Sequence, residues 1–136
     1  MKRKGTSIIL YNEKDCLLLF LRDDKPGLPY ANMWDIPGGH VEDGETPDEC
    51  IVREMKEEIG VDIGAPCLFR VYDFDDRIEY VYVSFCRYQI ENLNLTEGQA
   101  LRWFSEAEIA KTELAYGFNQ VADDFFKSRR GTVIDS

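Results

Sequence analysis

Histidine occurs once in the 136 residues, at His40, and the four cysteines, Cys16, Cys50, Cys67 and Cys86, stand far apart with no Cys-x-x-Cys pair among them. A zinc knuckle and a dithiol redox pair both need closer ligands, so the reading that remains is reduced thiols in a cytoplasmic protein. No apolar run approaches the roughly 18 residues of a membrane span. The start, Met1-Lys-Arg-Lys-Gly5, has a basic flank, but the apolar stretch behind it ends at Asn12, too soon for a signal-peptide core. Positive charge is scarce as well. Sixteen Lys and Arg against 26 Asp and Glu leave a net charge of −10, which argues against duplex DNA or long RNA held by a broad field of phosphate contacts.

What the chain does have is material for one core. Its length suits a single domain spanning residues 1–136, and a hydrophobic share of 44%, with eight Phe, seven Tyr and two Trp, is incompatible with a disordered chain. Acid is concentrated in one place: between Gly39 and Val61 lie Glu42, Asp43, Glu45, Asp48, Glu49, Glu54, Glu57 and Glu58, against only Arg53 and Lys56.

Thr6 to Tyr11 and Cys16 to Arg22 are β-compatible runs separated by Asn-Glu-Lys-Asp, which predicts an opening hairpin covered on both faces. Residues 23–33, with Pro26, Gly27 and Pro29, read as an ordered loop anchored by Leu28 and Tyr30. A short strand from Trp34 should stop at Pro37. Helix is expected from about Thr46 to Ile59, with Pro47 in the first turn, Gly60 as the stop, and Ile51, Val52, Met55 and Ile59 facing the core. Cys67–Tyr72 and Glu79–Ile90 predict an antiparallel pair, and Leu101–Phe104 a short strand. Ser105 with Glu108 forms a capping-box pattern, and a terminal helix from Asn119 to Lys127 would bury Val121, Phe125 and Phe126.

On the first helix Glu54, Glu57 and Glu58 fall at i, i+3 and i+4 and share one side. Two carboxylates about 6 Å apart at an effective dielectric near 20 repel by ~3 kcal/mol. A hard divalent cation such as Mg²⁺ removes that repulsion while keeping positions for water and phosphate oxygens, so the cluster fits metal-assisted phosphate chemistry. An ordinary solvated acidic face with an Arg53–Glu57 ion pair fits the local spacing equally well.

The longer spacing distinguishes them. Gly39, five residues, Glu45, seven residues, Arg53-Glu54-Met55, one residue, Glu57-Glu58, one residue, Gly60-Val61 resembles the Nudix box of the MutT/Nudix hydrolases at every specified position. The flanks, Trp34-Asp-Ile-Pro-Gly-Gly39 and Thr96-Glu-Gly-Gln99 ahead of Arg102-Trp-Phe104, are similar to the family too. The resemblance implies the Nudix fold, an α/β (α+β) architecture with a mixed β-sheet sandwiched between α-helices. It implies Mg²⁺-dependent hydrolysis, with Mn²⁺ as a substitute, of a nucleoside diphosphate linked to a moiety X, releasing a nucleoside monophosphate. By position it implies Glu54, Glu57, Glu58 and the Gly39 carbonyl as metal ligands, Arg53 with Glu45 orienting the glutamates, and Glu97 reaching the metal from a loop and serving as base. His40 is expected at the surface and Cys50 in packing.

The residues that select a substrate lie outside the box. The proline expected for ADP-ribose is replaced by Asp75-Asp76-Arg77, and Tyr80 is offset from the tyrosine expected for dinucleoside polyphosphates. Tyr30, Trp34, Phe118 and Asn119 are the candidates for holding a base, Asn119 standing near an asparagine that MutT-like enzymes use. A nucleoside triphosphate or its modified form is the favoured substrate class, with nucleotide sugars next. The competing reading is a Nudix-like module that senses a nucleotide without cleaving it. A homodimer is compatible with the sequence, and no membrane partner is expected.

Overall fold

The computed structural model describes residues 2–134. Strand β1 (Arg3–Tyr11) is its axis, because Thr6 to Leu10 are all buried, an uninterrupted run that only coverage on both faces allows. Ile8 and Leu10 pack on one side with Ile51, Met55 and Ile59 of helix α1 (Pro47–Ile59). Ile9 packs on the other with Val121, Phe125 and Phe126 of helix α3 (Phe118–Ile134). The mixed, seven-stranded sheet between helices agrees with the expected architecture. No helix among the described residues is long and apolar enough to cross a membrane.

The opening hairpin is real only at its base. Strand β2 (Leu17–Leu21) meets β1 antiparallel at Tyr11 and Leu17, then diverges to pair with β3 (Trp34–Asp35) and β7 (Ala100–Phe104). The edge of β1 so released takes β4 (Gly38–His40), through Gly5–His40, Thr6–Gly39 and Ser7–Gly38. Pro37 therefore breaks the strand from Trp34 without ending it. Its carbonyl accepts from the Ile8 amide at 2.9 Å, and the chain changes neighbour across that proline. Gly38 makes the switch feasible, since a Cβ there would collide with the Thr6 carbonyl.

The other edge of β1 runs parallel to β6 (Arg77–Phe85), from Arg3–Arg77 to Tyr11–Phe85, and β6 pairs antiparallel with β5 (Cys67–Asp73). Strand β6 stops before the expected Ile90, because the Cys86 amide donates to the Tyr11 carbonyl at 2.8 Å and the chain turns over the core beside α1. Helix α2 (Glu106–Ala110) has both reciprocal bonds of the box between Ser105 and Glu108. Helix α3 runs past the expected Lys127.

Candidate active site

Helix α1 begins at an N-cap, Thr46, whose hydroxyl accepts from the Glu49 amide while the Glu49 carboxylate accepts from the Thr46 amide. It ends at Gly60, in the left-handed region at φ 73°, where the cap amide donates to the Met55 carbonyl. Cys50, Ile51, Met55 and Ile59 are its buried residues, whereas Val52, expected in the core, is half-buried. The buried arc is displaced toward Cys50 because β4 lies on that side: the Cys50 thiol sits 3.2 Å from the Thr6 hydroxyl and 3.4 Å from the His40 carbonyl. Burial pushes that thiol up to about 11, which suits packing and not nucleophilic attack.

The next turns carry the carboxylates. The Glu54 carboxyl lies directly against Gly39, where any Cβ would strike it. The Gly38 amide donates to Glu58 Oε2 at 3.3 Å. Burial pushes Glu58 up to about 8, helped by the nearby charges of Glu54, Glu97 and Asp35, and burial likewise raises Glu54, with Glu57 and Glu97 adding to it. Glu57 stands outside this group, its side chain 61% exposed.

Arg53 binds the group from the side. Its Nε and Nη2 donate to the two Glu45 oxygens at 2.6 and 3.0 Å, and its Nη1 spans Glu54 Oε1 at 2.8 Å and Glu57 Oε2 at 3.1 Å. The guanidinium holds Glu45 down at about 2. His40 is exposed, as expected, and contributes its carbonyl, which accepts from Arg53 Nη2 at 3.3 Å. With Arg53 between Glu54 and Glu57, no three carboxylate, imidazole or thiol groups among the described residues converge on one point.

Glu97 approaches from the loop ahead of β7. Thr96 fastens that loop to the C-terminus of α1: its amide donates to the Glu58 carbonyl at 2.9 Å and its hydroxyl to the Glu57 carbonyl at 2.8 Å. These are orphan carbonyls of the helix end, so one contact caps the helix and places Glu97 beside Glu54 and Glu58.

The expected base contacts divide. Tyr30 is 45% exposed and leans on Tyr116 with ring centroids 4.4 Å apart and planes tilted at 49°, both residues in the left-handed region at φ 54° and 57°. Trp34 is half-buried, edge-on to Phe104 at 4.8 Å, with the Arg102 guanidinium over it. Phe118, by contrast, is 4% exposed within the core. Asn119 spends its amide locally: Oδ1 accepts from the Leu114 amide at 2.8 Å, and Nδ2 donates to the Thr112 carbonyl at 2.7 Å. Both close the connection between α2 and α3, and neither is free to hold a base.

Several polar residues at this end escaped the sequence reading. Arg22 lies 5.2 Å over the Tyr116 ring and donates from Nη1 to Asp35 Oδ2 at 3.2 Å. Asp35, buried, is pushed up to about 7 by desolvation. Arg77 donates to Glu79 at 2.7 Å among Phe74, Tyr116 and Phe118. The available signal was charge inside strands expected to be buried.

Comparison with known proteins places this geometry. The chain is 34% identical over 97 residues, 70% of its length and 67% of the relative's, to the 8-oxo-dGTP diphosphatase of Escherichia coli (strain K12). It is 40% identical over 65 residues to the ADP-ribose pyrophosphatase of Methanocaldococcus jannaschii, covering 48% of this chain and 37% of that one. A MutT structure from work on Aliivibrio salmonicida and Vibrio cholerae superposes with a TM-score of 0.74 at 25% identity, over 91% of this chain and 96% of that one. A family model described as the NUDIX domain matches residues 1–125. With that match enclosing the whole Gly39–Val61 box, the chain belongs to the Nudix family and is a Nudix hydrolase.

Proposed function

We propose that the chain is a single catalytic domain that cleaves the diphosphate linkage of a nucleoside diphosphate joined to X, releasing a nucleoside monophosphate, with Mg²⁺ as cofactor and Mn²⁺ as a substitute. The observation that carries the reading is the pairing of two half-buried carboxylates, Glu54 and Glu58, with the backbone of Gly38 and Gly39 along the later turns of a capped helix. A hard cation fits this all-oxygen donor set, and Glu58, half-buried close to other carboxylates, gains from one. Glu54, Glu58 and the Gly39 carbonyl would hold the ion, joined by Glu57 once it turns inward from Arg53, and the ion would supply Lewis-acid polarisation of the diphosphate. Glu45 fixes Arg53, and Arg53 sets the positions of Glu54 and Glu57.

Glu97 acts as base. As the water oxygen bonds to phosphorus and the bridging P–O bond breaks, a Glu97 oxygen receives the water's proton. Tyr30, exposed and set against Tyr116, offers an aromatic face for the base, with Trp34 as the second candidate. The relative that acts on 8-oxo-dGTP supports a nucleoside triphosphate or a modified form as the first substrate class, giving pyrophosphate as second product; nucleotide sugars follow. A sensing module without catalysis is disfavoured by the complete set of box glutamates. The four free cysteines agree with a reducing, cytoplasmic setting.

The test is a screen of purified protein with Mg²⁺ against a nucleotide library, reading released monophosphate together with phosphate or pyrophosphate. Hydrolysis of at least one nucleoside diphosphate derivative, lost on chelation, is expected. No turnover of any compound, or full turnover after exhaustive chelation, would overturn the proposal.

A further inference from the structure

The loop that carries Glu97 is tied at both ends, and the second tie reaches a different part of the molecule from the first. On the near side Asn94 and Thr96 donate to the Ile59 and Glu58 carbonyls of α1. On the far side Gly98 lies in the left-handed region at φ 88° with no room for a side chain, since a Cβ would stand 2.7 Å from the Leu21 carbonyl. Beyond it the Gln99 amide donates to that same carbonyl at 2.8 Å. The Gln99 side chain then donates both its amide hydrogens away from its own loop, to the Arg22 carbonyl at 2.8 Å and to Asn32 Oδ1 at 3.0 Å.

Those two acceptors are the two ends of the loop over residues 23–33. The loop is closed by Arg22 and Asn32 themselves: the Arg22 amide donates to the Met33 carbonyl at 2.9 Å, and the Asn32 amide to the Asp23 carbonyl at 3.1 Å. It carries Tyr30, and Arg22 braces it from inside through Nε to the Pro29 carbonyl at 3.1 Å. A single exposed side chain thus bridges the stacking loop and the loop of the carboxylate that faces Glu54 and Glu58.

We propose that Gln99 is a positioning residue that sets the reach of Glu97 by strapping its loop to the neck of the Tyr30 loop. The inference rests on the assignment of Glu97 as base. Thr96 fixes how far the loop stands from α1, the Gln99 amide holds its far end on β2, and the Gln99 side chain fixes it against the neck of the Tyr30 loop, so Glu97 has one placement only while all three hold. Loss of the Gln99 side-chain donors leaves its amide on the Leu21 carbonyl but releases the loop from the neck of the Tyr30 loop, and a carboxylate displaced by about 1 Å from an attacking water can lose on the order of 100-fold in rate. Substrate affinity depends on Tyr30, which Arg22 holds independently, so KM is little affected.

A double-mutant cycle on the hydrolysed nucleotide tests this, with Gln99→Leu and Glu97→Gln measured singly and together. Gln99→Leu should lower kcat by about tenfold or more with KM nearly constant, and should cost nothing further in the Glu97→Gln background, because a side chain that acts through Glu97 has nothing left to place. Should Gln99→Leu be silent, or its loss persist in full beside Glu97→Gln, the strap is refuted while Glu97 keeps its role. Should Glu97→Gln be silent, the base assignment fails and the strap falls with it. If Gln99→Leu lowers the melting temperature enough to obscure kinetics, Asn32→Gly takes its place in the cycle. It removes one acceptor of the strap while suiting the backbone at φ 60°, and the same non-additivity is expected of it.

Discussion

Glu58 is a carboxylate whose charge the fold accommodates poorly, desolvated and close to Glu54, Glu97 and Asp35. Glu58→Gln keeps its shape and removes the charge, so turnover should fall by ~100-fold or more while the melting temperature holds; a variant within threefold of wild type would refute its role. Glu49→Gln is the matched control. It lies on the same helix, and glutamine can still accept from the Thr46 amide in the capping box, so stability and kcat should both be unchanged. Asp35 gives a pH signature. Its folded value of about 7 lies above the ordinary 3.8, so between pH of about 4 and 7 the native state keeps a proton that the unfolded chain has released. The Asp35 contribution to stability should therefore fall as pH rises through that window and level above it. Denaturant melts of Asp35→Asn across the same range should show a flatter slope. At this scale the sequence was legible where spacing along one helix decides proximity, as for Arg53 with Glu57. It was opaque for Tyr30 and Tyr116, which meet with both backbones in the left-handed region, and for Asn119, whose amide serves carbonyls and amides brought near by a connection with no sequence mark.

Helix α1 and strand β4 act as one unit, the strand supplying backbone and the helix carboxylates. Gly39→Ala should separate function from fold: its methyl group would meet the Glu54 carboxyl, a side chain able to swing away, so activity should drop sharply with little change in melting temperature. Thr46→Ala does the reverse. It removes a cap far from the carboxylates and should cost about 1 kcal/mol of stability with kcat retained, as thermal melts and initial rates would show. The span of α1 and the caps of α2 were readable because side chain and helix end are neighbours in sequence. The splaying of β2 from β1 was not, since it depends on β4 and β7 competing for the same two edges, and no local pattern in Thr6–Arg22 reports a strand that comes from residue 38 or 100.

For the molecule as a whole, cation binding to the native state alone should raise stability by about 2.7 kcal/mol at 100 times the dissociation constant. Millimolar Mg²⁺ should then lift the melting temperature by several degrees, and Glu58→Gln should abolish most of the rise. An unchanged melting temperature in the wild type would count against a metal at this site. The net charge of −10 adds to this, because every ion bound relieves repulsion spread over the whole surface. The parallel pairing of β1 with β6 sets a different constraint, on the order of assembly. Contacts this distant along the chain are closed late in folding, and at about 5–20 residues per second β1 waits roughly 4–15 seconds after its own synthesis for its partner to be made. Until Phe85 has emerged, Ile8, Ile9 and Leu10 form a strand with one entire edge open, the kind of surface that chaperones shield and that aggregation exploits. A nascent chain halted between Val61 and that point already contains every box glutamate and still lacks the strand that would hold them in register.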